Sequence, residues 1–336
     1  MVTCPAGARD TSPARTEETL QTQRAAVSWP LGRHRLSRGT RDAIEGYLYI
    51  LPWLFGFVAL TLGPMLASLY LSFTHYSVFR PPRYAGLENY LRALKGEDLL
   101  FYGSLVRTTV FTLYFVPLGI AISLLLAMLL NRAIKGTTVY RTLFYLPTLT
   151  PAAASTLLWS WLLNSEVGPI NYMLRQIGID PPRWLGSPAW ALPSIVAIAI
   201  WSSAGGSRMI IFLAGLQGVP EELYDAASID GANAWHRFWA VTVPMISPVI
   251  FFNIIISTIA AFRVFTFSLM ATGGGPAYAT WFYMLHLYNE AFRSFKMGYA
   301  SALSWIFFII VITFSILQFV MSRRWVFYAG ETEQGR

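Results

Sequence analysis

Apolar residues arrive in blocks separated by shorter polar stretches. Each block is about twenty residues long, which at 1.5 Å rise per residue crosses a hydrocarbon layer about 30 Å thick. Six spans can be read: about Gly46 to Phe73, Thr109 to Leu130, Leu143 to Leu163, Leu192 to Leu216, Met245 to Met270, and Tyr299 to Met321. The pattern predicts an all-α polytopic membrane protein, with a transmembrane domain over 46–325 between a basic, disordered tail at 1–45 and a short tail at 326–336. Pro64, Pro117, Pro147, Pro151 and Pro193 are expected to kink the bundle, and Gly205 and Gly206 to let another helix approach or provide a bend.

An even number of spans puts both termini on one side. Arg9, Arg15, Arg24, Arg33, Arg35, Arg38 and Arg41 argue that this side is cytoplasmic, and Arg132, Lys135, Arg141, Arg323 and Arg324 fall there too. A cleavable signal peptide is not expected, since the first 45 residues hold those seven arginines and no apolar core. The opposite side carries segments around Phe79 to Leu94, Asn164 to Gly186 and Thr272 to Phe295, long enough for short helices and a docking surface.

Composition agrees with lipid as the solvent: 55% of the 336 residues are hydrophobic and 12% charged, with a mean hydropathy of +0.48. A soluble domain carries roughly 25% charged residues. The net charge of +8 is dispersed and not interleaved with aromatics, which argues for topology and against nucleic-acid binding. The single cysteine, Cys4, can form neither an internal disulfide nor a metal cluster. His75, His236 and His286 lack ligand spacing and read as structural.

The loop 217–244, on the cytoplasmic side, is the most informative stretch. Pro220 suits a first helical position, Glu221 and Glu222 complement the helix dipole, and Gly231 can take the left-handed conformation that ends a helix. Leu223, Ala226 and Ala227 stand at i, i+3 and i+4 and form a small apolar face that can seat in a groove on another protein, with Asp225 pointing elsewhere. An ordinary interfacial turn is the plain alternative.

Inside the spans, Asn253, Ser257, Ala261 and Phe265 recur every four residues, and Trp201, Gly205 and Arg208 share a face. Amide, hydroxyl and aromatic groups suit a sugar's hydroxyls and apolar ring faces. The same polar residues would serve equally to bond a neighbouring helix. Arg208 and Arg263 are expected to snorkel toward an interface.

The loop resembles the coupling loop of binding-protein-dependent ABC importer permeases. Glu-Ala-Ala followed by Asp-Gly-Ala and then an apolar residue and Pro reads here as Asp225-Ala226-Ala227, Asp230-Gly231-Ala232 and Val243-Pro244. Gly86-Leu87-Glu88-Asn89-Tyr90, Leu213-Ala214-Gly215-Leu216-Gln217, Thr272-Gly273-Gly274-Gly275-Pro276 and Ala291-Phe292 extend the resemblance to the carbohydrate-uptake branch, of maltose and glycerol-phosphate type, over roughly 45–325. Asp225 departs from the usual Glu and Val243 from the common Leu; the shorter carboxylate puts in doubt any contact needing a longer side chain.

The resemblance implies a type I ABC importer permease fold in a bacterial or archaeal cytoplasmic membrane. It implies a second permease subunit, two ATPase subunits that carry ATP and Mg, an extracytoplasmic solute-binding protein and a sugar as solute. Glu222, Tyr224, Asp225, Ala226, Ala227, Asp230, Gly231, Ala232 and Pro244 would meet the ATPase. No cofactor is expected on this chain, which has no Gly-x-x-x-x-Gly-Lys-Ser/Thr loop, no His-Glu-x-x-His pair and no Gly-x-Ser-x-Gly elbow, so it is not expected to be an enzyme. Glycerol phosphate, a polyamine or a peptide are alternative solutes, and an ion-coupled secondary transporter or a membrane scaffold are rival classes. The ion-coupled rival is disfavoured because the acidic residues lie outside the spans or at their edges.

Overall fold

A computed structural model of the chain describes residues 38–132 and 135–327. Most of the expected N-terminal tail, with Cys4, and nearly all of the C-terminal one lie outside the described residues. The chain divides into two units, Met1–Leu62 and Gly63–Arg336, taken separately below.

In the first unit, helix α1 (Arg38–Phe57) runs into a π-helical turn at Val58–Leu62. Its side chains are almost all exposed, Tyr49 at 86% and Phe55 at 72%, and Trp53 stacks on Phe57 at 5.5 Å. A helix this apolar and this exposed belongs in lipid or against another chain.

The second unit opens with α2 (Gly63–Ser72) and a hairpin of β1 (Thr74–Ser77) and β2 (Arg80–Tyr84), followed by α3 (Glu88–Leu94). The hairpin corrects the all-α expectation. Pro81 and Pro82 lock φ and lack N–H donors, so a helix cannot run through them. Asn89 secures the hairpin by donating to the carbonyls of Ser72 and Thr74 at 2.9 and 3.0 Å.

Helix α4 (Phe101–Leu130) is the axis of the bundle. Phe101, Ser104, Thr108, Phe111, Phe115, Gly119, Ser123, Ala127 and Leu130 are buried along it, every three to four residues. It contributes to three apolar clusters: with α15 (Tyr283–Tyr288) and α16 (Met297–Ser322), with α8 (Pro188–Ser203) and α13 (Ser247–Phe262), and with α9 (Ser207–Gln217).

Six continuous spans are not observed. Among the described residues three helices are long and apolar enough to cross a membrane, Asp42–Ser72, Phe101–Leu130 and Met297–Ser322, or up to five if each bent pair is one span. The fourth expected span is α8 and α9, bent by 57°; the fifth is α13, met at 69° by Ala234–Met245. That stretch contains α11 (Ala234–Arg237), a π-helical turn at Phe238–Thr242 and α12 (Val243–Met245). The third is two short helices, α5 (Thr137–Leu149) and α6 (Ala152–Leu162), parted where Pro151 holds ψ at 135°. Gly205 and Gly206 act as expected, since a side chain there would strike the Phe144 carbonyl and the Thr148 side chain of α5.

Helix α7 (Pro169–Gln176) fills one expected outer segment, and α14 (Thr266–Ala271) and α15 lie around and within another. Here Asp98, in the loop ahead of α4, ties three elements together. It accepts from His286 Nε2 at 2.7 Å and from the Tyr299 hydroxyl at 2.6 Å, while Trp281 Nε1 donates to His286 Nδ1 at 3.4 Å. Burial works to raise the Asp98 carboxyl, but the hydrogen bonds from His286 and Tyr299 outweigh it and hold the group well below the usual carboxylate range.

Two outcomes are expected. Because the folded Asp98 value is depressed, its stabilisation is present above the unfolded value of about 3.9 and is lost as pH falls through the folded one. Thermal unfolding in detergent between pH 7 and 3 should therefore fall more steeply for the wild type than for Asp98→Asn, and parallel curves would refute this. Gly205→Ala should cost about 1–3 kcal/mol by overpacking against α5, while Gly46→Ala, with open space at that position, should not destabilise.

Candidate functional site

Helix α10 (Glu221–Ile229) forms where the loop was read as helical, starting one residue later than expected: Pro220 is the extended residue before it, with ψ 134°. Its end is a Schellman motif. Gly231 takes φ +81°, its N–H bonds to the Ser228 carbonyl at 3.1 Å, and the Ala232 N–H reaches back to the Ala227 carbonyl at 2.9 Å. Glu221, Glu222, Asp225, Ala226, Asp230 and Gly231 are exposed, and Ala227 and Ala232 half-buried. Leu223 is 39% exposed and Ile229 87%. The outward apolar face thus includes Ile229, which stands outside the i, i+3, i+4 set of Leu223, Ala226 and Ala227.

Tyr224 faces inward and joins the α4–α9 cluster; its hydroxyl lies 3.0 Å from Thr242 Oγ1. Arg237 donates to Ser228 Oγ at 3.0 Å. The helix is thereby strapped to the chain that leads on through α11 and α12 to α13. Pro244, half-buried in α12, passes its carbonyl to Ser247 Oγ at 2.7 Å.

Within the bundle the second set of candidates is redistributed. The bend between α8 and α9 dissolves the face expected to carry both Trp201 and Arg208. Trp201, 43% exposed, packs edge-on against Trp159 at 5.3 Å and lines a cavity of about 660 Å³ with Gly205 and Pro147. Arg208 does not snorkel. It is buried at the bend, donating to Ser203 Oγ and to Ser257 Oγ (3.3 Å), with its guanidinium 5.1 Å from the centre of the Phe115 ring. No carboxylate of the described residues pairs with it.

The missing helix bonds at the bend are partly replaced, since Ser123 of α4 donates to the Ala204 carbonyl at 2.8 Å. Gly119 leaves the room: a side chain there would strike the Arg208 guanidinium. Arg263, in contrast, is exposed. Asn253 is buried and donates to its own helix at Val249 (2.9 Å), so it and Ser257 are engaged in the bundle. The four-residue stripe stops at Ala261, because α13 ends at Phe262; Phe265 lies beyond and packs on Tyr288 at 5.1 Å.

Residues 108–326 match the family described as binding-protein-dependent transport system inner membrane component. The chain belongs to this family. It is 40% identical over 297 residues to YesP of Bacillus subtilis (strain 168), a probable ABC transporter permease protein, covering 87% of this chain and 95% of that relative. It is 34% identical over 284 residues to MalF of Thermococcus litoralis, a trehalose/maltose transport system permease protein, covering 84% and 95%. Among solved structures, a chain of a bacterial alginate ABC transporter, crystallised with its alginate pentasaccharide-bound periplasmic protein, superposes with a TM-score of 0.75 at 22% identity, covering 86% of this chain and 98% of that one. The two share one fold, the type I importer permease fold implied by the loop motif.

If Gly119 is there to admit Arg208, the two positions are coupled. Gly119→Val should lower the unfolding midpoint by an amount equivalent to about 1–3 kcal/mol in the wild type and by less in an Arg208→Met background. Strict additivity would show that Arg208 is not the reason for the glycine.

Proposed function

We propose that this family member is one permease half of an ATP-driven sugar importer, and that α10 is the lever through which separate ATPase subunits drive it. The observation that carries this reading is the strapped helix itself: it starts after Pro220 and ends in the Schellman motif at Gly231, has an exposed Leu223–Ala226–Ile229 side, and is bound through Tyr224 and Arg237 to the chain entering α13. A push on such a helix moves α9 and α13 with little slack.

The reading takes the third, fourth and fifth apolar regions as broken spans, giving six crossings with both termini and α10 in the cytoplasm. A second permease subunit completes the pathway, two ATPase subunits supply ATP and Mg, and an extracytoplasmic binding protein delivers the solute. A sugar is supported by relatives named for trehalose and maltose transport and by the exposed Trp201 indole over its cavity, since aromatic rings suit the apolar faces of sugars. Arg208, Asn253, Ser257 and Phe265 shape that pathway from behind by fixing the helices.

The test is reconstitution with the partner subunits. Gly231→Val places a β-branched residue at a left-handed position. It should leave insertion and complex assembly intact while abolishing coupling of ATP hydrolysis to uptake; normal sugar uptake would refute the lever. A cysteine at Ile229 should react with an impermeant thiol reagent only from the cytoplasmic side.

A further inference from the structure

Between α4 and the aromatic segment after α10 lies an open groove of about 850 Å³ that neither the lever nor the sugar pathway uses. One wall is the outer face of α4, including Leu125 and Met128; the other is Trp235, Phe238 and Trp239. The three rings pack on one another at 5.1–6.2 Å, yet Trp235 remains 67% exposed and Trp239 53%. Arg132 closes one end, just past the last turn of α4, and it has no ion pair among the described residues. No acidic side chain lines the groove.

The shape fits a particular chemistry. From Ala121 the groove follows α4 to its end and on to Arg132, eleven residues further along the chain, roughly 16 Å at 1.5 Å per residue and about half of a hydrocarbon layer. One acyl tail of one leaflet is of that length. Indoles sit by preference at the level where hydrocarbon gives way to headgroups, and a lone arginine at that level presents a planar donor set to a phosphate. A protein segment filling the groove would have to bring a carboxylate to Arg132 in the same position.

We propose that this groove binds one anionic phospholipid, its tail lying against Leu125, Met128 and the Trp235–Trp239 rings and its phosphate on Arg132. A zwitterionic lipid would bring its own cation to the phosphate on Arg132, whereas an anionic headgroup leaves that phosphate to the arginine. The bound tail fills the space between α4 and the stem of α10, so the lipid seats the lever. The proposal rests on the importer reading only for the leaflet, which that topology makes cytoplasmic.

The test is lipid retention by the full-length chain taken from nanodiscs into native mass spectrometry, with phosphatidylglycerol and phosphatidylcholine as probes. The wild type should retain one phosphatidylglycerol in preference to phosphatidylcholine. Arg132→Gln should lower that retention at least three-fold, Arg132→Lys should keep most of it, and Arg323→Gln, exposed and outside the groove, should leave it unchanged. Trp235→Ala with Trp239→Ala should weaken retention of both lipids. Equal retention by Arg132→Gln, or no preference between headgroups, overturns the proposal. So does retention by the isolated chain that vanishes when a second permease chain is added, because the groove would then be a subunit contact. Uptake and thiol labelling are separate measurements, so failure here leaves the importer reading standing and failure there leaves the lipid site standing.

Discussion

A guanidinium buried inside an apolar bundle, with no carboxylate of the described residues to neutralise it, is the constraint around which this protein is arranged. Taking a cation out of water costs several kcal/mol unless its donors are met. Arg208 meets that cost with two serine hydroxyls and the face of Phe115, contributed by three different helices. Each contributor is then fixed: Ser203 must end α8, Ser257 must face inward from α13, and α4 must offer Gly119 at closest approach. The same bend frees the Ala204 carbonyl, which Ser123 takes up. A charge that might have been a liability thus specifies the angle at which α9 leaves α8.

That angle has consequences at the far end of α9. The chain leaves the bundle there, forms α10, and returns through α11 and α12 to α13. Its two limbs are joined near α10 by Tyr224–Thr242 and Ser228–Arg237, and deep in the bundle by Arg208–Ser257. The loop is closed at both ends by side-chain contacts, with apolar packing of Leu213, Leu216 and Ile246 between them. A displacement of α10 is therefore delivered to the helix break instead of being absorbed by slack chain.

The hydrophobic pattern located every apolar region, and the last span nearly to its ends, because blocks of lipid-soluble residues register over some twenty positions. It could not reveal the breaks. Ser203 to Ser207 and Thr150 to Pro151 lie within apolar blocks; Pro151 opens the second by its own chemistry, while the first is fixed in three dimensions, by the α5 backbone close to Gly205, the Thr148 side chain close to Gly206 and an arginine that finds its partners only in the fold. Pro81 and Pro82 bar a helix from the hairpin segment, a signal that an expectation of short helices from its length alone does not use. In the loop, local chemistry sufficed: Glu221, Glu222 and Gly231 define a helix by rules that act over a few residues. Ile229 and the Trp235–Trp239 rings went unremarked since their exposure depends on what does not pack against them.

The polar residues that look most like solute ligands in the sequence are those the bundle has already engaged. Asn253, Ser257 and Arg208 are buried and bonded. The cavity at Trp201 is lined otherwise by Leu126, Phe144, Pro147, Ile200 and other apolar side chains. Such a surface can hold the apolar face of a ring but cannot read a pattern of hydroxyls, which needs donors and acceptors at fixed positions. On the proposed reading, discrimination between one polyhydroxy solute and another falls to groups other than this cavity wall. A family defined by its dependence on a binding protein is consistent with that division: selection happens before the solute arrives, and the permease can keep a wall that is apolar and tolerant.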